Sequence, residues 1–241
     1  MTVAVGVLAR APSAAGKTRL APHLSPERLL TLRRAVLTDT LRALESIPDL
    51  TIFFTPDDAA EEIASLAGMS RRRVAQGAGD LGARMLRALQ YLLRVSDTVH
   101  DPGRCLTPDG TEAAIEGAIL IGSDIPLLTA DHIREAAEQL APRNATAVAE
   151  RSLVLGPADD GGYYLIGMTA PHAQLFEGIE WGTESVLTDT LRAADRMNLH
   201  PHLIRSTYDI DAIDDLLRCE RDLKWLPSAV CQDLRRWFAA A

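Results

Sequence analysis

The sequence predicts an α/β sandwich built on a mainly parallel sheet, and three observations carry that prediction. Val3 to Ala9 and Ala118 to Ile121 are short apolar runs without a polar residue, as suits strands covered by helices on both faces. Such runs alternate along the chain with stretches of helical periodicity, the mark of repeated strand-and-helix units. The central run, AILIGSDIPLL from Ala118 to Leu128, stops abruptly on Gly122, Ser123 and Asp124. In open α/β sheets ligands bind beyond the carboxyl ends of the strands, so Asp124 is expected to face a ligand crevice.

The 241 residues are 47% hydrophobic and 24% charged, the make-up of a globular protein whose core needs no staples. No Ser/Gly-rich linker divides the chain, so a single domain over residues 1–241 is expected. Its 33 Asp+Glu against 25 Lys+Arg leave a net charge of -8, which opposes generic binding to nucleic acid or an anionic membrane. Cys105, Cys219 and Cys231 are odd in number and lack metal-ligand spacing, which argues against a disulfide framework and a zinc site. The first apolar run is too short, with no basic residue before it, to read as a signal peptide, and no run is long enough for a transmembrane helix. A cytoplasmic protein with neither nucleic-acid nor membrane partners is the expectation; the oligomeric state is not encoded in any motif.

Taken in order, Val3 to Ala9 is the first strand, and Ser25, Pro26 and Glu27 open a long helix to Ile47. Thr51 to Thr55 is a β-branched and aromatic strand; Pro56 and Asp57 then open a helix to about Ala67, ended by Gly68. Arg72 to Gln76 is a third strand. The glycine-rich turn Gly77 to Leu81 leads into a helix in which Leu81, Met85, Leu86, Leu89, Leu92 and Leu93 fall at spacings of three and four. Ser96 to Glu116 is polar and turn-rich, a surface insertion at about 96–116. Beyond the central run come a helix from about Thr129 to Leu140, strands at Ala145 to Ala149 and Ser152 to Leu155, and a tight turn in ADDGGYYLIGM before another strand. Thr183 to Asp195 is a helix, Leu199 to Arg205 a strand and Asp211 to Asp222 a helix.

Four groups of residues could carry chemistry. Gly16, Lys17, Thr18 and Arg19 follow the first strand, where exposed main-chain amides and two cations can hold phosphate oxygens. The same stretch nearly spells a Walker A loop, but Pro22 would remove a hydrogen bond from the helix such a loop must open, at roughly 3 kcal/mol. Asp124, with Asp209 and Asp211 of YDIDAIDDL, offers oxygen ligands of the kind Mg²⁺ takes alongside substrate phosphates. Asp211 serves equally well as a helix N-cap. Asp159, Asp160, Gly161 and Gly162 form a hairpin turn in which an aspartate can deprotonate an acceptor hydroxyl while the glycines let a ligand approach the backbone. Gly79, Asp80 and Gly82 could approach a nucleoside, although Asp80 is also a natural helix cap.

In series, GKTRLAP, GDLGARM, AILIGSDIPLL, LGPADDGGYYLIGM, IEWGTESVL and YDIDAIDDL resemble the bacterial DUF2064 family, within the GT-A-type nucleotide-diphospho-sugar transferases. GKTRLAP is also similar to the phosphate loop of sugar-phosphate pyrophosphorylases, and the 2-phospho-lactate guanylyltransferases share the general plan. Family members are often labelled glycosyltransferases, some linked to arsenosugar biosynthesis. The resemblance implies a three-layer α/β/α sandwich with a mixed, mainly parallel sheet, the nucleotide over the amino-terminal half and the acceptor over the carboxy-terminal half. It implies that Lys17 and Arg19 contact phosphates, that Gly79, Asp80 and Gly82 lie near the nucleoside, and that Asp160, Gly161, Gly162 and Tyr163 line the acceptor site. Asp124 would bind Mg²⁺ or Mn²⁺ with Asp209 or Asp211, and Asp159 or Asp160 would act as base. Arg10 stands where family members often carry Lys. The expected activity is metal-dependent transfer from a nucleotide-diphosphate-linked donor to a small-molecule acceptor, with glycosyl transfer from a sugar nucleotide first. Nucleotidyl transfer from a nucleoside triphosphate is second, and a non-catalytic nucleotide-binding protein third.

Overall fold

The computed structural model describes residues 2–48, 50–93, 104–106, 112–141 and 153–240. Seven strands form one sheet in the order β3-β2-β1-β6-β8-β7-β9. They are β1 (Val3–Arg10), β2 (Thr51–Thr55), β3 (Arg72–Ala75), β6 (Gly117–Gly122), β7 (Leu153–Pro157), β8 (Tyr163–Met168) and β9 (His202–Leu203). The short β4 (Arg104–Leu106) and β5 (Glu112–Ala114) pair with each other as a separate antiparallel ribbon inside the expected insertion, whose other residues up to 111 lie outside the described ones. The expected strand at Ala145 to Ala149 lies outside them as well.

Alternate residues of each strand feed two cores, which makes the three layers. Val5, Val7, Ile52, Ile119 and Ile121 face α1 (Pro26–Ala43), α2 (Ala60–Ala67) and α4 (Ala130–Leu140), whose Leu37, Leu41, Ile63, Ile133 and Leu140 cover them. On the other face Ala4, Phe53, Leu120, Leu155 and Ile166 meet Met85, Leu89 and Leu92 of α3 (Leu81–Leu93) and Ala193 of α5 (Val186–Arg196). Burial on both faces is why these strands read as unbroken apolar runs. Outside α1, its Leu32 and Val36 pack with Leu216 and Leu223 of α6 (Ile213–Leu223) and Leu234 and Trp237 of α7 (Gln232–Ala239).

β1 pairs in parallel with both β2 and β6, so successive crossovers leave it in opposite directions. A crevice opens at such a switch point, beyond the strands' carboxyl ends. β8 runs antiparallel to β6 and β7, and the turn between β7 and β8 therefore reaches the same edge as the ends of β1 and β6.

Several boundaries differ from expectation for identifiable reasons. α1 ends at Ala43 rather than Ile47, and residues 44–46 continue as turns closed by Glu45 N–H to Arg42 O and Ile47 N–H to Leu44 O. α2 starts at Ala60, not Pro56, because Pro56 to Ala59 form a separate turn. The strand expected over Leu199 to Arg205 keeps only two paired residues at the sheet edge. α6 begins at Ile213, with Asp215 rather than Asp211 capping it: the Asp215 carboxylate accepts from the N–H groups of Asp211 and Ala212. α7 has no counterpart in the expectations. Its N-terminal N–H groups, Asp233 and Leu234, donate to buried Asp39 of α1, a cap 194 residues away in sequence that no local pattern announces.

Candidate functional site

Two adjoining cavities lie at the switch point, sharing Arg10, Ser123 and Asp124 as a wall. The first, about 340 Å³, lies over the carboxyl ends of β1 and β6 and the start of β8, and its lining includes Thr55, Gln76, Arg84, Asp160, Tyr163 and Trp181. The second, about 300 Å³, lies under the loop after β1, between Gly16, Lys17 and Thr18 on one side and Leu32, Arg33 and Val36 of α1 on the other.

Asp124 sits two residues beyond β6, on a turn that Thr40 of α1 fixes by donating to the Ser123 carbonyl at 3.0 Å. Ile210 is buried and its N–H donates to the Asp124 carbonyl at 3.1 Å, which docks the YDID segment beside it. Asp209 then lines the first cavity and Asp211 the second. The expected capping role of Asp211 is absent, since Asp215 takes it, and the freed carboxylate is used elsewhere.

Lys17 joins these acids. Its ammonium donates to Asp124 at 2.6 Å and to Asp211 at 3.3 Å, and Arg19 reaches the other oxygen of Asp211 at 3.3 Å. The Lys17 side chain is only 16% exposed. Burial alone would lower its pKa, but Asp124, then Asp211 and Asp209, outweigh it and hold the ammonium above its ordinary value. Its backbone is left-handed, with φ of 54°, at about 1–2 kcal/mol for a residue with a Cβ. In that conformation its carbonyl accepts from Leu20 and Ala21, and the chain turns back rather than entering a helix. α1 starts only at Pro26, so the Walker A reading fails: the loop does not run directly into a helix.

Asp209 carries the opposite perturbation. Burial, then the carboxylates of Asp124 and Asp160, push its acid up to about 7, against the opposing pull of Lys17. Three carboxyl groups, those of Asp124, Asp160 and Asp209, thus line the first cavity and oppose one another's ionisation at Asp209. Among the described residues no three His, Cys, Asp or Glu side chains converge as a metal cluster.

The adjacent aspartates of the hairpin turn part company. Asp160 lines the first cavity and accepts from the Gly162 N–H at 2.9 Å. Asp159 points to Arg218 of α6, which pairs with it at 2.7 Å, and is not a lining residue. Gly161 has φ of +89° and packs against the Glu184 carbonyl, whereas Gly162 and Tyr163 line the cavity. Tyr163 is half-buried with its hydroxyl enclosed, which raises its phenol pKa, and it meets Trp181 edge to face at 6.5 Å. Asp80 caps α3, accepting from the Ala83 N–H at 2.8 Å, and Gly79 accepts from Arg84 at 3.0 Å. Neither lines a cavity; Leu81 and Arg84, beside them, do. Gly82 lies under the Trp181 ring, where a Cβ would come within 2.6 Å.

Two lining residues carry no sequence signal. Gln76, buried, spends its amide N–H groups on the Ala9 and Phe53 carbonyls at 3.2 and 2.9 Å. Arg33 is one of two adjacent arginines on a polar helix, and only packing shows which of them turns inward.

The fold recurs among solved structures. A protein from Desulfovibrio desulfuricans G20, provisionally described as a nucleotide-diphospho-sugar transferase, is 26% identical over 99% of this chain and 96% of its own, with a TM-score of 0.77. A cytidylyltransferase from Leptospira borgpetersenii is 16% identical, covering 98% and 93%, at 0.55. A 4-diphosphocytidyl-2C-methyl-D-erythritol synthase from Anaerococcus prevotii is 12% identical, covering 92% and 96%, at 0.53. The mixed seven-stranded sheet flanked by helices is thus the GT-A-like fold of nucleotide-diphospho-sugar and nucleotidyl transferases. No curated protein matches the chain. The family model for DUF2064, described as an uncharacterized protein conserved in bacteria, matches residues 38–183, more than half of the sequence, and the chain belongs to that family.

Proposed function

We propose that the chain is a transferase that takes a nucleotide-diphosphate-linked donor and a small-molecule acceptor, with glycosyl transfer as the leading reaction. The observation that carries the reading is the first cavity. It brings together the cations Arg10 and Arg84, the carboxylates of Asp124, Asp160 and Asp209, and the rings of Tyr163 and Trp181. Donor phosphates would pair with the cations, and an acceptor hydroxyl would meet Asp160. The similarity to the Desulfovibrio protein supports the same assignment.

A divalent cation fits this cavity. Asp209 is half-buried beside the Asp124 and Asp160 carboxylates, which raise its pKa against the pull of Lys17, and Mg²⁺ needs only one or two carboxylates when phosphates supply other ligands. Asp124 and Asp209 would hold Mg²⁺ or Mn²⁺; Asp211, clamped by Lys17 and Arg19, is the poorer candidate. When bound, the cation supplies charge stabilisation for a departing diphosphate.

The chain's own groups do the rest. Lys17 would turn from Asp124 toward a phosphate oxygen, keeping its proton because its acidic neighbours favour the ammonium. Asp160 would orient the acceptor hydroxyl and accept its proton as that oxygen bonds to the anomeric carbon and the nucleoside diphosphate leaves. Asp159, engaged by Arg218, braces the turn instead. Nucleotidyl transfer is the second reading, favoured by the extra cations lining the second cavity, which exceed what a diphosphate needs. Full-length protein with a panel of sugar nucleotides and Mn²⁺ is expected to release nucleoside diphosphate. Pyrophosphate release from a nucleoside triphosphate plus a sugar phosphate, with every sugar nucleotide intact, would replace the first reading by the second.

A further inference from the structure

The second cavity contains a feature that donor binding at Lys17 does not explain. Arg10, at the end of β1, and Arg33, on α1, both border Gly16: a Cβ there would lie 3.2 Å from Arg10 Cδ and 3.5 Å from Arg33 Nη2. Among the described residues each guanidinium hydrogen-bonds only to main-chain carbonyls, Arg10 to Ala15 at 2.9 Å and Arg33 to Ala11 at 3.1 Å. No carboxylate among the described residues forms a salt bridge with either. Glu62 lends Arg33 some opposing field but is engaged by Ser13 and lies 4.0 Å from Arg34. The two acids lining this cavity, Asp124 and Asp211, are taken by Lys17 and, for Asp211, Arg19.

Two guanidiniums held side by side without a counter-ion repel each other. Burial and then the charge of Arg10 lower the pKa of Arg33, in a chain whose net charge of -8 leaves acids plentiful elsewhere. Such a pair persists where an anion completes it, and the planar fork of each guanidinium matches phosphate oxygens. Gly16 has no side chain to wedge them apart.

We propose that the cavity beneath the Gly16–Thr18 loop is an anion subsite in which Arg10 and Arg33 clamp a phosphoryl group distinct from the diphosphate beside the nucleoside. Arg10 belongs to both cavities, so a substrate phosphate there lies next to the donor. Two sources share this chemistry: the terminal phosphates of a triphosphate donor, or a phosphate carried by the acceptor. The proposal rests on the transferase reading for its biological meaning, but the site itself is testable alone.

The test is calorimetric titration of the full chain with inorganic pyrophosphate, orthophosphate, and UDP, CDP and GDP, for the native protein, Arg33→Gln and Arg33→Lys. Unchanged melting temperatures establish that the variants fold. Arg33→Gln is expected to weaken pyrophosphate or orthophosphate about 10-fold or more while leaving nucleoside diphosphate affinity within about 2-fold, with Arg33→Lys in between. Preference for pyrophosphate identifies terminal phosphates as the source, and equal or tighter orthophosphate binding identifies an acceptor monophosphate. Equal affinity of all three proteins for both inorganic anions, or no binding of either, overturns the subsite. A parallel loss for nucleoside diphosphates also overturns it, by placing Arg33 in the donor site. Failure of every nucleotide to bind, with Arg33-dependent binding of inorganic anions retained, would remove the transferase reading and leave the subsite standing.

Discussion

Replacing Gly161 by alanine tests the geometry of the hairpin turn without reference to any ligand. The residue has φ of +89°, where a Cβ costs about 1–2 kcal/mol. The added carbon would stand 2.1 Å from the Glu184 carbonyl oxygen and 2.7 Å from its Cα. Overpacking costs about 1–3 kcal/mol where side chains can yield, and here the obstacle is main chain, so the upper end applies. Relief requires the segment before α5 to move, straining the bond from the Leu187 N–H to the Gly161 carbonyl at 2.9 Å. A loss of about 3–5 kcal/mol is expected, a large part of a typical domain stability of about 5–15 kcal/mol. Gly178→Ala is the matched control: its φ is +71° but nothing lies within 4 Å, so strain alone, about 1 kcal/mol, should appear. Urea denaturation followed by circular dichroism measures both. If Gly161→Ala costs no more than Gly178→Ala, the close approach to Glu184 is wrong, and with it the placement of Asp160 in the cavity.

Asp39→Ala removes the cap of α7 and the partner of Arg42 at 2.6 Å, and should cost about 2–4 kcal/mol in the same assay. Asp209 is pushed up to about 7 from its ordinary 3.8, so its charge destabilises the fold fully above pH 7, and that penalty shrinks as pH falls from 7 towards 3.8. Without divalent cation, Asp209→Asn should therefore be more stable than native protein at pH 8 and lose that advantage progressively on acidification, most of it by about pH 4; a pH-independent difference in denaturation midpoints would contradict this. Asp124→Ala should abolish the increase in nucleotide affinity that Mn²⁺ produces, measured by calorimetry, and retention of that increase would remove Asp124 from the metal site. Lys17→Ala should weaken nucleoside diphosphate binding by about 10- to 100-fold, as expected for a charged hydrogen bond worth about 1.5–3 kcal/mol.

Elements buried on both faces were legible in the sequence because their composition has one physical cause. Val3–Arg10 and Gly117–Gly122 lie between two helical layers and can carry almost nothing polar. Side-chain destinations were less legible where distant segments decide them. Asp159 and Asp160 are neighbours of one residue type, yet Arg218, 59 residues on, draws one away from the cavity. Asp211 read equally as a cap or a ligand because the deciding competitor, Asp215, reaches back through space. α7 was missed for a similar reason: it starts at Cys231 in a left-handed conformation with no side-chain cap of its own, and its anchor is Asp39. Arg33 shows the limit most clearly, since nothing local separates it from Arg34.

The single reversed strand, β8, divides the labour between the two walls of the crevice. A parallel strand would have ended there in a long crossover, as β1 does, with a loop free to change length. Reversal instead delivers a tight turn braced by two ladders, with Leu165 opposite Ile121 on one side and Gly156 on the other. On the proposed reading, the wall assigned to the acceptor would be a rigid template and the wall assigned to phosphate an adaptable one. If that reading holds, acceptor choice would be varied by exchanging side chains on the segment around Trp181 and Thr183, which also lines the cavity, with the hairpin unchanged.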